Sequence, residues 1–419
     1  MDFNGRPMIF ILLVLLSLGL PSTVGAAEFG LDTTLLGQVR ENEGDQTEIP
    51  VNGYLGLGFS QSKWNFSGET NMRLFRDFPR KLDDYDLYQA VLHIQPIQAL
   101  KIDFGRQFVS EGFSTEILDG IRLTLMPLKY LDITVYTGMP RSVETGDFDK
   151  NNGLFSGISL GLKNVARTNA RIHAAWRKHN IRFNDLKQND EILVGADLSH
   201  QFAIPERPLL YGLVEYNVTG KNLDAGTAGV DIAPFSGAAL NLEFNYFNVN
   251  RDSDRPTILG LFARGRLLTG RFASTWTLIP DRLDFVESYS YQRIEIQEDV
   301  RRHGHLLDTA FRISWDEIGL HVEPGYYFAR SFGGNLHGVR ASLHEQFTDR
   351  WYAEAGVDFS KYTKITGKND TAFSTVIWTG YEVVKDLTLS GGFEYNRNTL
   401  FDKDIRGSFK VEYRFNYGT

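Results

Sequence analysis

From Glu28 to the end of the chain, hydrophobic positions recur every second residue. Leu100, Ile102 and Phe104 alternate with Lys101, Asp103 and Gly105. Leu240, Leu242, Phe244 and Tyr246 alternate with Asn241, Glu243 and Asn245. Trp351, Ala353, Ala355, Val357 and Phe359 do the same against Tyr352, Glu354, Gly356 and Asp358. Successive strand side chains point to opposite faces, so each segment predicts a β-strand with one apolar and one polar face. No helical stripe of comparable length interrupts them. The connectors alternate in length. Short ones lie at Ser62-Lys63, Pro280 to Arg282, Asp316-Glu317 and Lys385-Asp386; longer polar ones span Arg40 to Pro50, Pro140 to Asn152, Asn180 to Asp190 and Lys361 to Asp370. Short turns at one rim and long loops at the other predict a single transmembrane, antiparallel, up-and-down β-barrel. At roughly 9–11 residues per membrane strand the segmentation gives about 20–22 strands. The stretch 220–270 is the hardest to divide, and if two or four of the strands so read are really loops the count falls to about 16–18.

Both ends of the chain bear on where such a barrel resides. Residues 1–27 read as a cleaved secretory signal: Arg6, an apolar run from Met8 to Leu20, then Pro21 to Ala27 with small residues at the cleavage positions. That leaves 28–419 as one barrel domain. In the last segment Ile405, Phe409, Val411, Tyr413, Phe415 and Tyr417 share one face, and Arg406, Lys410, Glu412, Arg414 and Asn416 the other. This resembles the terminal strand of bacterial outer-membrane proteins, whose alternating aromatics serve as an assembly signal; here Gly418-Thr419 extend past the last aromatic. The resemblance implies the outer membrane, with lipid and lipopolysaccharide as surroundings.

Composition narrows the function classes. None of the 419 residues is cysteine, which excludes disulfides, thiolate metal sites and covalently attached haem. The mean hydropathy of −0.26 argues against membrane-spanning helices but not against a barrel, which shows lipid only every second residue. The net charge of −8 gives no reason to expect nucleic acid.

Charged groups are costly at mid-bilayer, so Lys101, Asp103, Arg312, His321, Glu323, Glu354, Glu394, Lys410 and Arg414 are expected to face inward and to make a polar lumen of both signs. A wall of about 16–22 strands is too wide for its own side chains to fill. The alternation begins near Phe29, leaving no residues for a plug domain. The lumen therefore holds water, an inward-folded segment or another protein. Two segments are candidates for the inward element. Ser110 to Glu116, including Glu111, follows a strand directly. The stretch Arg251 to Arg271 carries Arg251, Arg255, Arg264, Arg266 and Arg271; it reads either as an arginine-lined constriction favouring anions or as a basic outer loop facing lipopolysaccharide.

The run Phe104-Gly105-Arg106-Gln107-Phe108-Val109 with Leu118-Asp119-Gly120-Ile121-Arg122 resembles the Gly-Arg-Gln…Asp-Gly hairpin of porin-like and alginate-export-like barrels. The resemblance covers a short part of the chain. It implies a porin-like class, with Arg106 at the hairpin. Some porin-like barrels of this size sheathe multihaem cytochromes, and an unplugged lumen fits that role too.

Catalytic and metal-binding patterns are weak. Gly157-Ile158-Ser159-Leu160-Gly161 matches G-x-S-x-G but lies inside an alternating strand, where a nucleophile elbow needs a strand-to-helix turn. His303 and His305 could share a metal yet read more simply as a rim pair. Asp147/Asp149 and Asp252/Asp254 lack the further ligands of a calcium loop. The expectation is a non-enzymatic channel without cofactor that passes small hydrophilic solutes or ions. The alternative is a barrel housing a periplasmic or surface partner such as a cytochrome.

Overall fold

The structure is a computed structural model that describes residues 27–41, 46–112, 114–141, 152–179, 182–183, 186–187, 190–248, 266–297, 300–331, 334–364, 367–398 and 403–418. The expected signal segment before Ala27 and the carboxylate pairs at 147–149 and 252–254 lie outside these residues.

Among the described residues 22 strands form the wall. They are β1 (Ala27–Glu41), β2 (Pro50–Gln61), β3 (Phe66–Asp77), β4 (Leu82–Ile97), β5 (Leu100–Glu111), β6 (Ser114–Leu128) and β7 (Leu131–Arg141). There follow β8 (Asn152–Val165), β9 (Thr168–His179), β10 (Glu191–Gln201), β11 (Leu209–Asn217), β12 (Asn222–Phe235), β13 (Ala238–Asn248) and β14 (Arg266–Ile279). The last are β15 (Leu283–Gln297), β16 (Val300–Trp315), β17 (Leu320–Ser331), β18 (Gly334–Thr348), β19 (Trp351–Lys364), β20 (Asn369–Val384), β21 (Leu387–Arg397) and β22 (Asp404–Gly418). Each pairs antiparallel with its sequence neighbours, and β1 pairs with β2 on one side and β22 on the other, from Glu28↔Gly418 to Arg40↔Arg406. The sheet closes on itself, which removes the unpaired edge whose backbone groups lipid could not satisfy.

Most connectors at the rim where β1 begins and β22 ends, the terminal rim, are tight turns, as the spacing predicts; residues 202–208 make one longer crossing there. The opposite rim is not uniformly long-looped: β15 ends at Gln297 and β16 begins at Val300. The difficult stretch resolves into β12, β13 and β14, with 249–265 outside the described residues.

The alternation sorts side chains as expected. Ile172 and Phe244 are each 59% exposed and Ile377 57%, all on the outer face, an arrangement stable in lipid and unfavourable in water. Trp276, Trp315, Trp351, Tyr381 and Tyr413 share that face near the terminal rim, and Tyr291, Tyr326 and Tyr395 toward the other, giving two aromatic girdles. The inner face carries cross-strand ion pairs. If its section is round, a 22-strand wall tilted at about 40° is roughly 44 Å across between backbones. No plug occurs among the described residues.

Candidate functional site

One hairpin leaves the wall. β5 pairs with β4 only as far as Ala90↔Arg106, while its pairing with β6 continues unbroken from Leu100↔Leu125 to Glu111↔Ser114. Beyond Arg106 the β5–β6 tip bends inward, so that its inner face meets the inner face of β7–β10. Two glycines permit this. Gly105, at the departure point, has φ +118°, and a Cβ there would lie 2.2 Å from the Ala90 carbonyl oxygen. Gly112, at the tip, has φ +63°, and a Cβ there would lie 2.5 Å from Glu215 Oε2 on β11 and 2.7 Å from His173 Nε2 on β9. Only glycine combines left-handed backbone with such close approach.

The seat of the hairpin is apolar at its centre and ionic around it. Val109 and Leu118, each 1% exposed, pack with Tyr136, Phe155, Ala175 and Leu193 from four successive wall strands. The Tyr136 and Phe155 rings pack in a tilted pair with centroids 5.6 Å apart, and the Arg177 guanidinium lies 5.3 Å from the Phe155 ring centre. Arg177 on β9 also forms a buried ion pair with Glu116 from the hairpin and stands 3.5 Å from Glu191 on β10. Glu191 in turn accepts a 2.7 Å bond from Asn217. His173 Nε2 and Glu215 Oε2 lie 3.7 Å apart below the tip. Buried charges in such a place need partners, and these residues supply them to one another.

Arg106 occupies the gap opened by the departure. It donates to the Leu87 carbonyl at 2.6 Å, replacing a ladder bond that β4 loses there, and holds both oxygens of Asp119 at 2.7 and 3.1 Å. Arg141 donates to the same Asp119 at 2.6 Å. By register this triad sits on the face opposite to Leu118.

The remaining predicted positions scatter around the wall. Arg312 on β16 bonds Glu323 on β17 at 3.0 Å, and Arg340 on β18 bonds both oxygens of Asp308 while standing 3.9 Å from Glu323. His344 meets Glu354 at 3.2 Å. Lys410 meets Glu412 at 2.8 Å, and Arg414 bonds Asp32 at 2.8 Å across the β22–β1 closure. Lys101 and Arg122 converge on Asp103, which His93 also contacts. Several inner carboxylates instead have neutral donors: Tyr211 and Asn245 on Glu243, Asn241 on Asp231, Tyr327 on Asp358 and Asn396 on Glu394.

The arginine-rich stretch differs from its expectation. Arg251, Arg255 and Arg264 lie outside the described residues, but Arg266 and Arg271 are on strand β14 itself, not in an inward loop. Five residues apart, they take opposite faces: Arg271 is opposite Glu243 on the inner face, and Arg266 is on the outer face beside Leu268. The Glu111 backbone ends β5, and the description does not extend to its side chain. Sequence reading missed Arg177, His173 and Glu215, because their roles come from strands distant along the chain; Asp119, quoted with Arg106 in the hairpin resemblance, is its cross-strand partner. Gly157 to Gly161 lies within β8 with no helix after it, so the elbow geometry is absent. His303 and His305 bond to tyrosines rather than to a shared centre, and no metal-ligating cluster occurs among the described residues.

No family model and no curated protein matches the chain. Among solved structures, the P pilus usher (PapC) translocation pore aligns at TM-score 0.54 with 9% identity, over 92% of this chain and 99% of that one. Pseudomonas aeruginosa OccK8 (OprE) aligns at 0.48 with 8% identity, over 93% and 98%. Pseudomonas aeruginosa OccK1 (OpdK) aligns at 0.46 with 8% identity, over 93% and 99%. The likeness to the usher pore shows a shared fold: a large, closed, antiparallel β-barrel.

Proposed function

We propose that the chain is a porin-like channel of the bacterial outer membrane, through which small hydrophilic solutes or ions diffuse along a charged lumen narrowed by the β5–β6 hairpin. The observation that carries this reading is the built seat of that hairpin, with Val109, Leu118 and the Glu116–Arg177 pair buried against the inner wall. A hairpin so anchored reduces the opening without closing a lumen of this width. The paired cations and the carboxylates held by neutral donors favour a modest preference for cations. Planar-bilayer recordings of the purified chain test the proposal. Stable ohmic steps with a cation-sided reversal potential are expected, and absence of steps would refute it.

A second reading has one observation in its favour, the number of strands: a round wall of 22 spans roughly 44 Å between backbones, which leaves room beside the hairpin for a partner protein. Under it the barrel is a sheath for an electron-carrying cytochrome. A large leak that closes only on adding a co-purified haem protein would favour it.

A further inference from the structure

One cluster of outer-face cations lacks the carboxylate partners that many inner-face cations have. Inside, Arg122, Arg312, Arg340, Arg406, Lys410 and Arg414 each meet a carboxylate. Outside, toward the rim away from the termini, Arg266, Arg293, Arg301, Arg330 and Lys361 follow one another on β14 to β17 and β19. None forms an ion pair among the described residues. Register sets them beside histidines of the same face: Arg293 opposite His303, Arg330 opposite His305, and Lys361 opposite His337. Glu295 is the one carboxylate among them. The patch crosses six adjacent strands, about 24 Å at sheet spacing.

Immediately below runs the aromatic girdle. Tyr289 bonds His305 Nδ1 at 2.8 Å, Tyr326 bonds His337 Nδ1 at 2.9 Å, and Tyr291 bonds His303. These bonds fix each imidazole and leave its other ring nitrogen without a partner among the described residues. Aromatic rings of this kind mark the depth of the headgroups, and the cations stand just above that depth. Turns at the terminal rim face the periplasm in such barrels, so the patch lies in the outward leaflet.

We infer that this surface is a docking site for the phosphate groups of an anionic glycolipid of the outer leaflet. Arginine matches phosphate geometry with two parallel bonds, and unpaired cations at headgroup depth attract anionic lipid. The site stands apart from solute passage, since all five cations are on the opposite face from the lumen.

The test uses the full-length barrel in detergent and three probes: bisphosphorylated lipid A, its dephosphorylated form and phosphatidylglycerol, with bound lipid counted by native mass spectrometry. The wild type should hold bisphosphorylated lipid A in preference to both others. Replacing the five cations by glutamine should weaken that binding by more than about tenfold. Heat-modifiable gel mobility and single-channel conductance should stay as in the wild type. Should the fivefold variant not fold, Arg293→Gln with Arg330→Gln should still weaken binding. Unchanged binding by a folded variant overturns the inference, as does equal binding of dephosphorylated lipid A. Equal binding of phosphatidylglycerol overturns the assignment to glycolipid.

Discussion

Unseating the β5–β6 hairpin should widen the channel while leaving the barrel intact. The combined replacement Leu118→Ala and Glu116→Ala removes one apolar anchor and one half of a buried ion pair. A buried leucine cut to alanine costs about 2–5 kcal/mol. Removing one partner of a buried pair costs about 3–5 kcal/mol, here because Arg177 keeps only the more distant Glu191 and the Phe155 ring. The two sites adjoin, so the sum is not strictly additive, but about 5 kcal/mol is a fair lower figure. At 1.4 kcal/mol per factor of ten this shifts the seated-to-open ratio by more than about three decades. The same order of energy seats the tip, since Val109 and Leu118 together contribute about 3–6 kcal/mol by burial. The wall does not share the loss: pairing up to Ala90↔Arg106 and Ile117↔Arg141 is untouched. Single-channel recording should therefore give a larger conductance with added flicker, and gel mobility should remain that of a folded barrel. Conductance and noise identical to the wild type would refute the role given to the hairpin.

Other predictions follow from separate features. Gly112→Val forces a β-branched side chain into left-handed backbone against Glu215 and His173, and should raise conductance much as the double variant does; an unchanged trace would contradict the close approach at the tip. Arg340→Gln leaves Asp308 without its bidentate partner and Glu323 with Arg312 alone, so the reversal potential in a salt gradient should move further toward cations. Arg266→Glu should leave that potential where it is, since the residue is on the lipid side; a clear shift would contradict the strand register. Because the chain has no cysteine, single substitutions report facing cleanly. Glu323→Cys should be blocked by a charged, membrane-impermeant thiol reagent with a drop in current, whereas Val339→Cys should be inert.

The period-two pattern by itself determined the class of this protein. Each strand must satisfy its backbone through neighbours and show lipid one apolar row, so the alternation in Leu240 to Tyr246 or Trp351 to Phe359 is sufficient to orient those strands. Strand number was legible to within a few strands for the same reason, and Ser110 to Glu116, which follows a strand directly, was one of two segments the sequence offered as the inward element. What tertiary structure decided is where that segment lands. Glu116 meets Arg177 sixty-one residues later, and Gly112 meets Glu215 on a strand much further round the wall. Such contacts depend on barrel curvature and on the bend at Gly105, which local periodicity does not encode. The arginines make the same point. Composition identified Arg266 and Arg271 as one basic stretch, but a strand sends residues five apart to opposite faces, one to the lumen and one to the lipid.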